Sequence, residues 1–193
     1  MFLSISAAIL HGLAYAIYLH QVYGGTSVPN PASWTVWVLL SILNALTFWR
    51  GSKDALVTAQ FFTGSVGCFA VWTYALSTGR FSSLDFMGWS VLVLCTLAGL
   101  VWWAKRNALY ANLVIGATIL FSSLPTIAGV LRNGHVEQAL PWYLWTIAFL
   151  ITSINVFQRR YESEKKGVCW QLLLVTPITG TVIHGIVALS AAR

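Results

Sequence analysis

Charged residues are scarce in this chain of 193 residues. Asp, Glu, Lys and Arg together make up 8% of it, against roughly 25% in a soluble globular domain. Hydrophobic residues make up 58%, and the mean hydropathy is +0.74. So few polar residues cannot cover a folded surface in water. The composition therefore excludes a soluble globular protein and predicts an integral membrane protein whose surface faces lipid.

Patterns of metal-binding and catalytic residues are also missing. The three cysteines, Cys68, Cys95 and Cys169, have no CxxC spacing, and the four histidines form no HxxxH or HExxH pair. Tetrahedral metal sites need such clusters at matched spacing, so we expect no metal and no cofactor. The five carboxylates fall at the ends of apolar stretches or in loops. This placement leaves no acid or base in a cleft, and we expect no enzymatic activity.

The carboxylates have simpler interpretations. Asp54 and Asp85 stand just before predicted helices, where they are typical N-terminal caps. Glu137 lies in the loop before the sixth predicted helix. We therefore expect no buried carboxylate, which argues against coupling to protons or sodium ions. Coupling through His11 or His184 is the alternative, because imidazole titrates near neutral pH.

Stretches without charged residues mark candidate membrane spans, since a charge at the bilayer centre costs at least about 2.5 kcal/mol. The first stretch is broken at 24–31, where glycine and proline cannot continue a helix. The predicted transmembrane helices cover about 3–22, 33–49, 55–77, 86–104, 108–131, 139–157 and 168–190. The predicted fold class is an all-α integral membrane protein with seven transmembrane helices in a single membrane domain, 1–193, whose first helix is not a cleaved signal.

The distribution of Lys and Arg predicts the orientation. In the seven-helix plan the loops on the N-terminal side carry Arg50, Lys53, Lys105, Arg106, Arg159, Arg160, Lys165 and Lys166, and the other side carries Arg80, Arg132 and Arg193. The positive-inside rule then places the N-terminus in the cytoplasm and the C-terminus on the opposite side of the cell inner membrane. This asymmetry explains the net charge of +6 by topology, and we expect no nucleic-acid binding.

The chain shows internal similarity at a shift of 108 residues. The shift lays Trp34 and Trp37 over Trp142 and Trp145, Asn44 over Thr152 and, with a small insertion, Gln60 over Gln171. It predicts two parallel three-helix repeats, 1–77 and 108–190, joined by a linker helix at 86–104. The alternative is that the tryptophans only form interfacial aromatic belts.

Several short motifs resemble a known family. The segments Leu124-Pro125-Thr126-Ile127, Arg132-Asn133-Gly134, Glu137 and Leu140-Pro141-Trp142 are similar to the second repeat of PQ-loop proteins, relatives of the SWEET sugar transporters. The segment Pro29-Asn30-Pro31-Ala32-Ser33-Trp34 is the counterpart in the first repeat. Thr126 stands where the family has Gln. The resemblance implies a three-plus-one-plus-three helix architecture and transport of a small solute.

In a transporter, polar groups within the spans should face the interior or a water-filled path. Ten neutral residues meet this criterion as candidate substrate-binding residues: Ser41, Asn44, Thr63, Ser65, Ser122, Ser123, Thr152, Asn155, Thr176 and Thr179. Because none is charged, they predict a small neutral or zwitterionic solute. The alternative is structural, since Ser and Thr often bond to their own helix and Asn can join helices.

Pro125 lies within the fifth predicted helix and is a candidate hinge for alternating access, with a static bend as the alternative. Two other functional classes stay open. A seven-helix receptor would use a charged pocket near the loops, for which Arg132, His135 and Glu137 are grouped in the sequence. An accessory membrane subunit would have no transport activity. The expected partners are the lipid bilayer and a small-molecule solute, and a homo-oligomer is compatible with the sequence.

Overall fold

A computed structural model describes residues 2–105, 108–132, 136–167 and 169–193, and within these ranges the chain is helical, with no strand. The helices are α1 (Phe2–Gly24), α2 (Pro31–Ser52), α3 (Ala55–Thr78), α4 (Phe86–Lys105), α5 (Ala108–Arg132), α6 (Ala139–Gln158), α7 (Arg160–Lys165) and α8 (Trp170–Ala191). Six of them, α1, α2, α3, α5, α6 and α8, are long and apolar enough to span a membrane. The chain is therefore an all-α membrane protein.

The predicted helix bounds agree with these elements to within three residues at each end. In α4 the apolar stretch among the described residues covers Phe86–Leu97, which is shorter than the roughly 20 residues that a crossing needs. The seventh crossing therefore stays a prediction. The sequence did not indicate α7, a short helix in the charged segment after α6.

Three helices, α2, α3 and α4, begin where a local side chain satisfies their first N–H groups. Asn30 caps α2 by accepting from the backbone N–H groups of residues 32 and 33, and Pro31 follows at the first turn. Asp54 caps α3 in the same way. Asp85 accepts from the backbone N–H of Gly88 across 2.8 Å at the start of α4. The caps predicted at Asp54 and Asp85 are confirmed.

Two groups of three helices share one packing pattern. In the first triplet (α1, α2 and α3), α3 packs against both α1 and α2. In the second triplet (α5, α6 and α8), α8 packs against both α5 and α6. The triplets meet where α1 packs on α6 and α2 packs on α5, and α4 packs on α5 and α2. The first helix of each triplet thus lies against the second helix of the other.

Each triplet contains a glycine that allows a close approach between helices. A Cβ atom at Gly67 in α3 would lie 2.3 Å from the ring of Tyr15 in α1. A Cβ atom at Gly180 in α8 would lie 2.7 Å from the ring of Phe149 in α6. Both separations are well below a normal carbon contact. These two positions therefore require glycine, which has no Cβ atom.

Two buried clusters lie along the bundle axis. One is rich in aromatic residues and includes Tyr18, Trp34, Trp142 and Trp145. We call these four residues the aromatic cluster, and we call its side of the bundle, where α1 ends and α2 and α6 begin, the Glu137 end. The second cluster includes Phe48, Phe61, Phe149, Val156 and Leu173 and lies toward the opposite end, which we call the Asp54 end.

Candidate functional site

A cavity of about 90 Å³ lies between the two triplets, with lining from all six of their helices. This volume has room for several water-sized groups. The lining residues are His11, Tyr15, Trp37, Leu40, Ser41, Asn44, Phe61, Gly64, Cys68, Ile119, Ser123, Phe149, Thr176, Gly180, Ile183 and His184. Asp, Glu, Lys and Arg are absent from this described lining. The wall combines neutral hydrogen-bonding groups, imidazoles and aromatic rings.

Four of the ten predicted binding residues meet at this cavity, namely Ser41, Asn44, Ser123 and Thr176. They come from α2, α5 and α8. Ser122 lies directly behind the wall, where its hydroxyl accepts a hydrogen bond of 2.9 Å from Nε1 of Trp37. Ser122 therefore positions a ring of the cavity lining.

Thr152 also acts through a neighbour. It is buried and donates a hydrogen bond to Oε1 of Gln60. Nε2 of Gln60 lies 3.0 Å from Nδ1 of His11, which lines the cavity. Since Oε1 of Gln60 is the acceptor for Thr152, the amide nitrogen of Gln60 donates to His11. This network assigns the ring proton of a neutral His11 to Nε2.

The other four predicted residues are not brought to the cavity. Asn155 donates a hydrogen bond of 2.9 Å to Ser4 and so joins α6 to α1 toward the Asp54 end. The hydroxyls of Thr63 and Ser65 bond to carbonyl groups of their own helix. Thr63 faces a separate apolar groove between α1 and α3. Thr179 is half-buried in α8.

The triplets are joined by two corresponding hydrogen bonds. Thr176 of α8 donates to Asn44 of α2 across 3.1 Å, and Thr152 of α6 donates to Gln60 of α3. Asn44 and Thr152 are the residues that the 108-residue shift superimposes. Their respective partners are Thr176 and Gln60. Gln171, which the sequence comparison paired with Gln60, is exposed whereas Gln60 is buried.

Sequence reasoning did not include seven polar or aromatic lining residues in the site: His11, Tyr15, Trp37, Phe61, Cys68, Phe149 and His184. From the sequence, His11 and His184 are candidate coupling groups and are not among the candidate binding residues. The available signal was their spacing, since residues four apart share one face of a helix. His11 and Tyr15 have this spacing. Gly180 and His184 have it too, and Nδ1 of His184 lies 2.6 Å from the carbonyl oxygen of Gly180.

Glu137 corrects the expectation of no buried carboxylate, because the residue is only 2% exposed. Its Oε1 accepts from the hydroxyl of Tyr18 across 2.8 Å, and its Oε2 accepts from Nε1 of Trp142 across 3.2 Å. Burial raises the pKa of the Glu137 carboxyl to about 8, although these two hydrogen bonds oppose the rise. Of the other residues grouped for a receptor pocket, Arg132 is exposed and His135 lies outside the described residues.

An ion pair connects the two triplets at the Asp54 end. The guanidinium of Arg159, just after α6, donates to the carboxylate of Asp54, just before α3. Partial burial favours a higher pKa for Asp54, but the backbone N–H of Val57 and the charge of Arg159 outweigh it and lower the pKa below its usual value. Asp54 and Arg159 belong to different triplets. Each end of the bundle therefore has a polar connection between the triplets.

The cavity lies between these two ends. The aromatic cluster packs between the cavity and the Glu137 end, and the Phe48 and Phe61 pair packs toward the Asp54 end, with ring centroids 4.3 Å apart. No protein-family model, curated protein or solved structure shows a significant match to the chain. The PQ-loop resemblance thus stays a prediction from short motifs, and the chain's own geometry carries its functional interpretation.

Proposed function

We propose that the protein is a transporter that moves a small neutral or zwitterionic solute across the membrane by alternating access. The observation that carries the proposal is the neutral, polar-lined cavity between the two helical triplets. Transporters built from repeats typically bind their solute at the repeat interface, near the middle of the bilayer. The contacts that close the bundle on either side of the cavity fit a site that opens to one side at a time.

The chemistry of the wall supports the solute class. Ser41, Asn44 and Thr176 offer hydrogen-bond donors and acceptors, and the rings of Tyr15 and Trp37 offer flat apolar surface. A solute with a net charge would lose its hydration shell without gaining an opposite charge from the lining. A neutral solute, or a zwitterion with zero net charge, loses less on entry.

The two polar connections between the triplets lie at opposite ends of the bundle, as alternating access requires. The Asp54–Arg159 pair joins the triplets at one end, and the contact of Glu137 with Tyr18 joins them at the other. Opening toward one end requires its connection to break while the opposite connection holds the triplets together.

The proposal includes a membrane topology. The repeated hydrogen bonds, Asn44 with Thr176 and Thr152 with Gln60, support two parallel three-helix repeats. With α4 as the linking seventh crossing, both triplets have the same orientation. The excess of Lys and Arg in the loops on the N-terminal side supports an N-terminus in the cytoplasm and a C-terminus on the opposite side of the cell inner membrane.

A thermal-shift screen of the detergent-purified protein tests the binding site. Neutral and zwitterionic sugars, amino acids, nucleosides and vitamins form the panel, because a ligand of the folded state stabilises it by about 2.7 kcal/mol at 100 times its Kd. We expect Ser41→Ala to reduce the shift. Ser65→Ala is the matched control, since both hydroxyls bond to carbonyls of their own helix but only Ser41 lines the cavity.

The alternatives give different results. If no solute of the panel stabilises the protein at millimolar concentration, the solute-binding proposal fails and an accessory subunit is favoured. If a solute binds through Ser41 but is not carried across a membrane, a receptor is favoured.

A further inference from the structure

The loops at the Glu137 end are tied together across the two triplets. The backbone N–H of Val28, between α1 and α2, donates to the carbonyl of Val136, between α5 and α6, across 2.8 Å. The backbone N–H of Gln138 donates to the buried hydroxyl of Ser27 across 3.1 Å. Glu137 lies between Val136 and Gln138, so its carboxyl group is buried beneath a joint that closes this end of the bundle.

The side chains that donate hydrogen bonds to Glu137 belong to both triplets. Tyr18 belongs to α1 and Trp142 to α6, and each donates to one carboxylate oxygen. Both donors are neutral. An ionised carboxylate has about four acceptor sites, so two neutral donors leave its charge poorly compensated in a buried place.

Among the described residues, no ion pair involves Glu137. The titratable groups on the neighbouring elements therefore do not supply a counter-charge to its carboxylate. His184 of α8 packs against the ring of Trp142, with centroids 5.5 Å apart. Arg80, after α3, lies beside Gly25 of the loop that follows α1. His20 of α1 and Arg132 of α5 are exposed.

We propose that Glu137 is a proton-binding latch, which keeps the Glu137 end closed when its carboxyl is protonated and favours opening of that end when it is ionised. The latch rests on the proposed function, because it regulates access to the same cavity. When the joint opens, water reaches the carboxylate and replaces the two neutral donors. Opening therefore releases the proton of Glu137 to the solution on that side.

The direction of the pH dependence follows from linkage. In the closed state the pKa of Glu137 is about 8, against a usual value of 4.5 for an exposed Glu. The closed state thus binds the proton more tightly, and its advantage is lost as the pH rises through the higher value. The equilibrium constant for opening is expected to rise about tenfold from pH 6 to pH 7 and to level off above about pH 8.

The native thiol of Cys68 reports access to the cavity without any solute. Cys68 is buried and lines the cavity, and Cys95→Ala with Cys169→Ser removes the other two thiols. The rate at which a water-soluble maleimide modifies Cys68 is measured in proteoliposomes at several pH values. The same measurement with Glu137→Gln, which mimics the protonated carboxyl, corrects for ionisation of the thiol itself.

We expect the ratio of the two rates, Glu137 protein over Glu137→Gln, to rise about tenfold from pH 6 to pH 7. If Glu137→Gln does not fold, Tyr18→Phe replaces it: losing one donor to the carboxylate raises the pKa of Glu137 in the closed state, so the rise continues to higher pH before it levels off. A ratio independent of pH, an unmoved Tyr18→Phe profile or a Cys68 unreactive at every pH would overturn the latch. Because no solute takes part, a pH-dependent ratio without solute transport would instead refute the proposed function alone.

Discussion

Thr176 on α8 donates a hydrogen bond of 3.1 Å to the side chain of Asn44 on α2 at the wall of the central cavity. The bond joins the third helix of one triplet to the second helix of the other. Thr152 and Gln60 make the corresponding connection, but it supports the ring of His11 behind the wall. The same kind of contact therefore occurs twice. Asn44 and Thr176 line the cavity themselves, whereas Thr152 and Gln60 act on its lining through His11.

Removal of the Asn44 side chain should destabilise the protein. Asn44→Ala leaves the buried hydroxyl of Thr176 without its partner, which costs about 1–3 kcal/mol. Thermal unfolding in detergent measures the loss. Ser65→Ala removes a hydroxyl outside the cavity and should change stability by less than about 0.5 kcal/mol. Equal unfolding temperatures for the two variants would contradict the role of Asn44.

The glycine contact between α1 and α3 should not tolerate a methyl group. Gly67→Ala brings a Cβ atom to 2.3 Å from the ring of Tyr15, and overpacking of this kind costs about 1–3 kcal/mol. Gly129→Ala is the matched control in α5, because a Cβ atom there meets nothing within 4 Å. It should stabilise the helix by about 0.5–1 kcal/mol. Opposite shifts of the unfolding temperature are expected, and shifts of the same sign would argue against the packing described.

Asp54 should stabilise the fold at neutral pH through its cap and its ion pair with Arg159. Asp54→Ala is expected to cost about 1 kcal/mol from the cap alone. Because the pKa of Asp54 in the folded protein is below 3.8, this contribution is complete above about pH 4 and is lost as the pH falls through the lowered value. Unfolding temperatures of the two proteins should converge in acid, and a constant difference down to pH 2 would refute the assignment.

Pro125 is buried within α5, which continues as a helix on both sides of it. If it is a hinge, Pro125→Ala restores the missing N–H donor and stiffens the helix, so transport should slow while solute affinity is kept. Pro177→Ala, at a buried proline inside α8, is the comparison variant. An unchanged transport rate for Pro125→Ala would leave Pro125 as a static bend.

The sequence predicted the helices well because the charged residues and the 24–31 break mark their ends. Among its ten candidate binding residues are four that line the cavity, Ser41, Asn44, Ser123 and Thr176, because polarity within a span indicates an interior position. It could not tell Ser41, Ser123 and Thr176 from Thr63 or Ser65, which also carry hydroxyl groups within a predicted span. The difference depends on the rotation of each helix against its neighbours, and α3 has too uniform an apolar surface to reveal it.

Glu137 shows a second limit of prediction from the sequence. Its position in a loop between two apolar stretches predicted exposure, and no local pattern indicates that the loop after α1 covers it. Next to Glu137, the backbone of Val136 bonds to that of Val28, which is 108 positions away in the chain. Such contacts between distant loops become visible only in the folded bundle.

Uptake of a stabilising solute into proteoliposomes tests the central claim most directly. We predict saturable uptake that Asn44→Ala or Ser41→Ala weakens and that Ser65→Ala leaves at the native rate, because only the first two residues line the cavity. Binding of the solute without uptake, or uptake that is equally reduced by Ser65→Ala, would contradict a transporter whose site is this cavity.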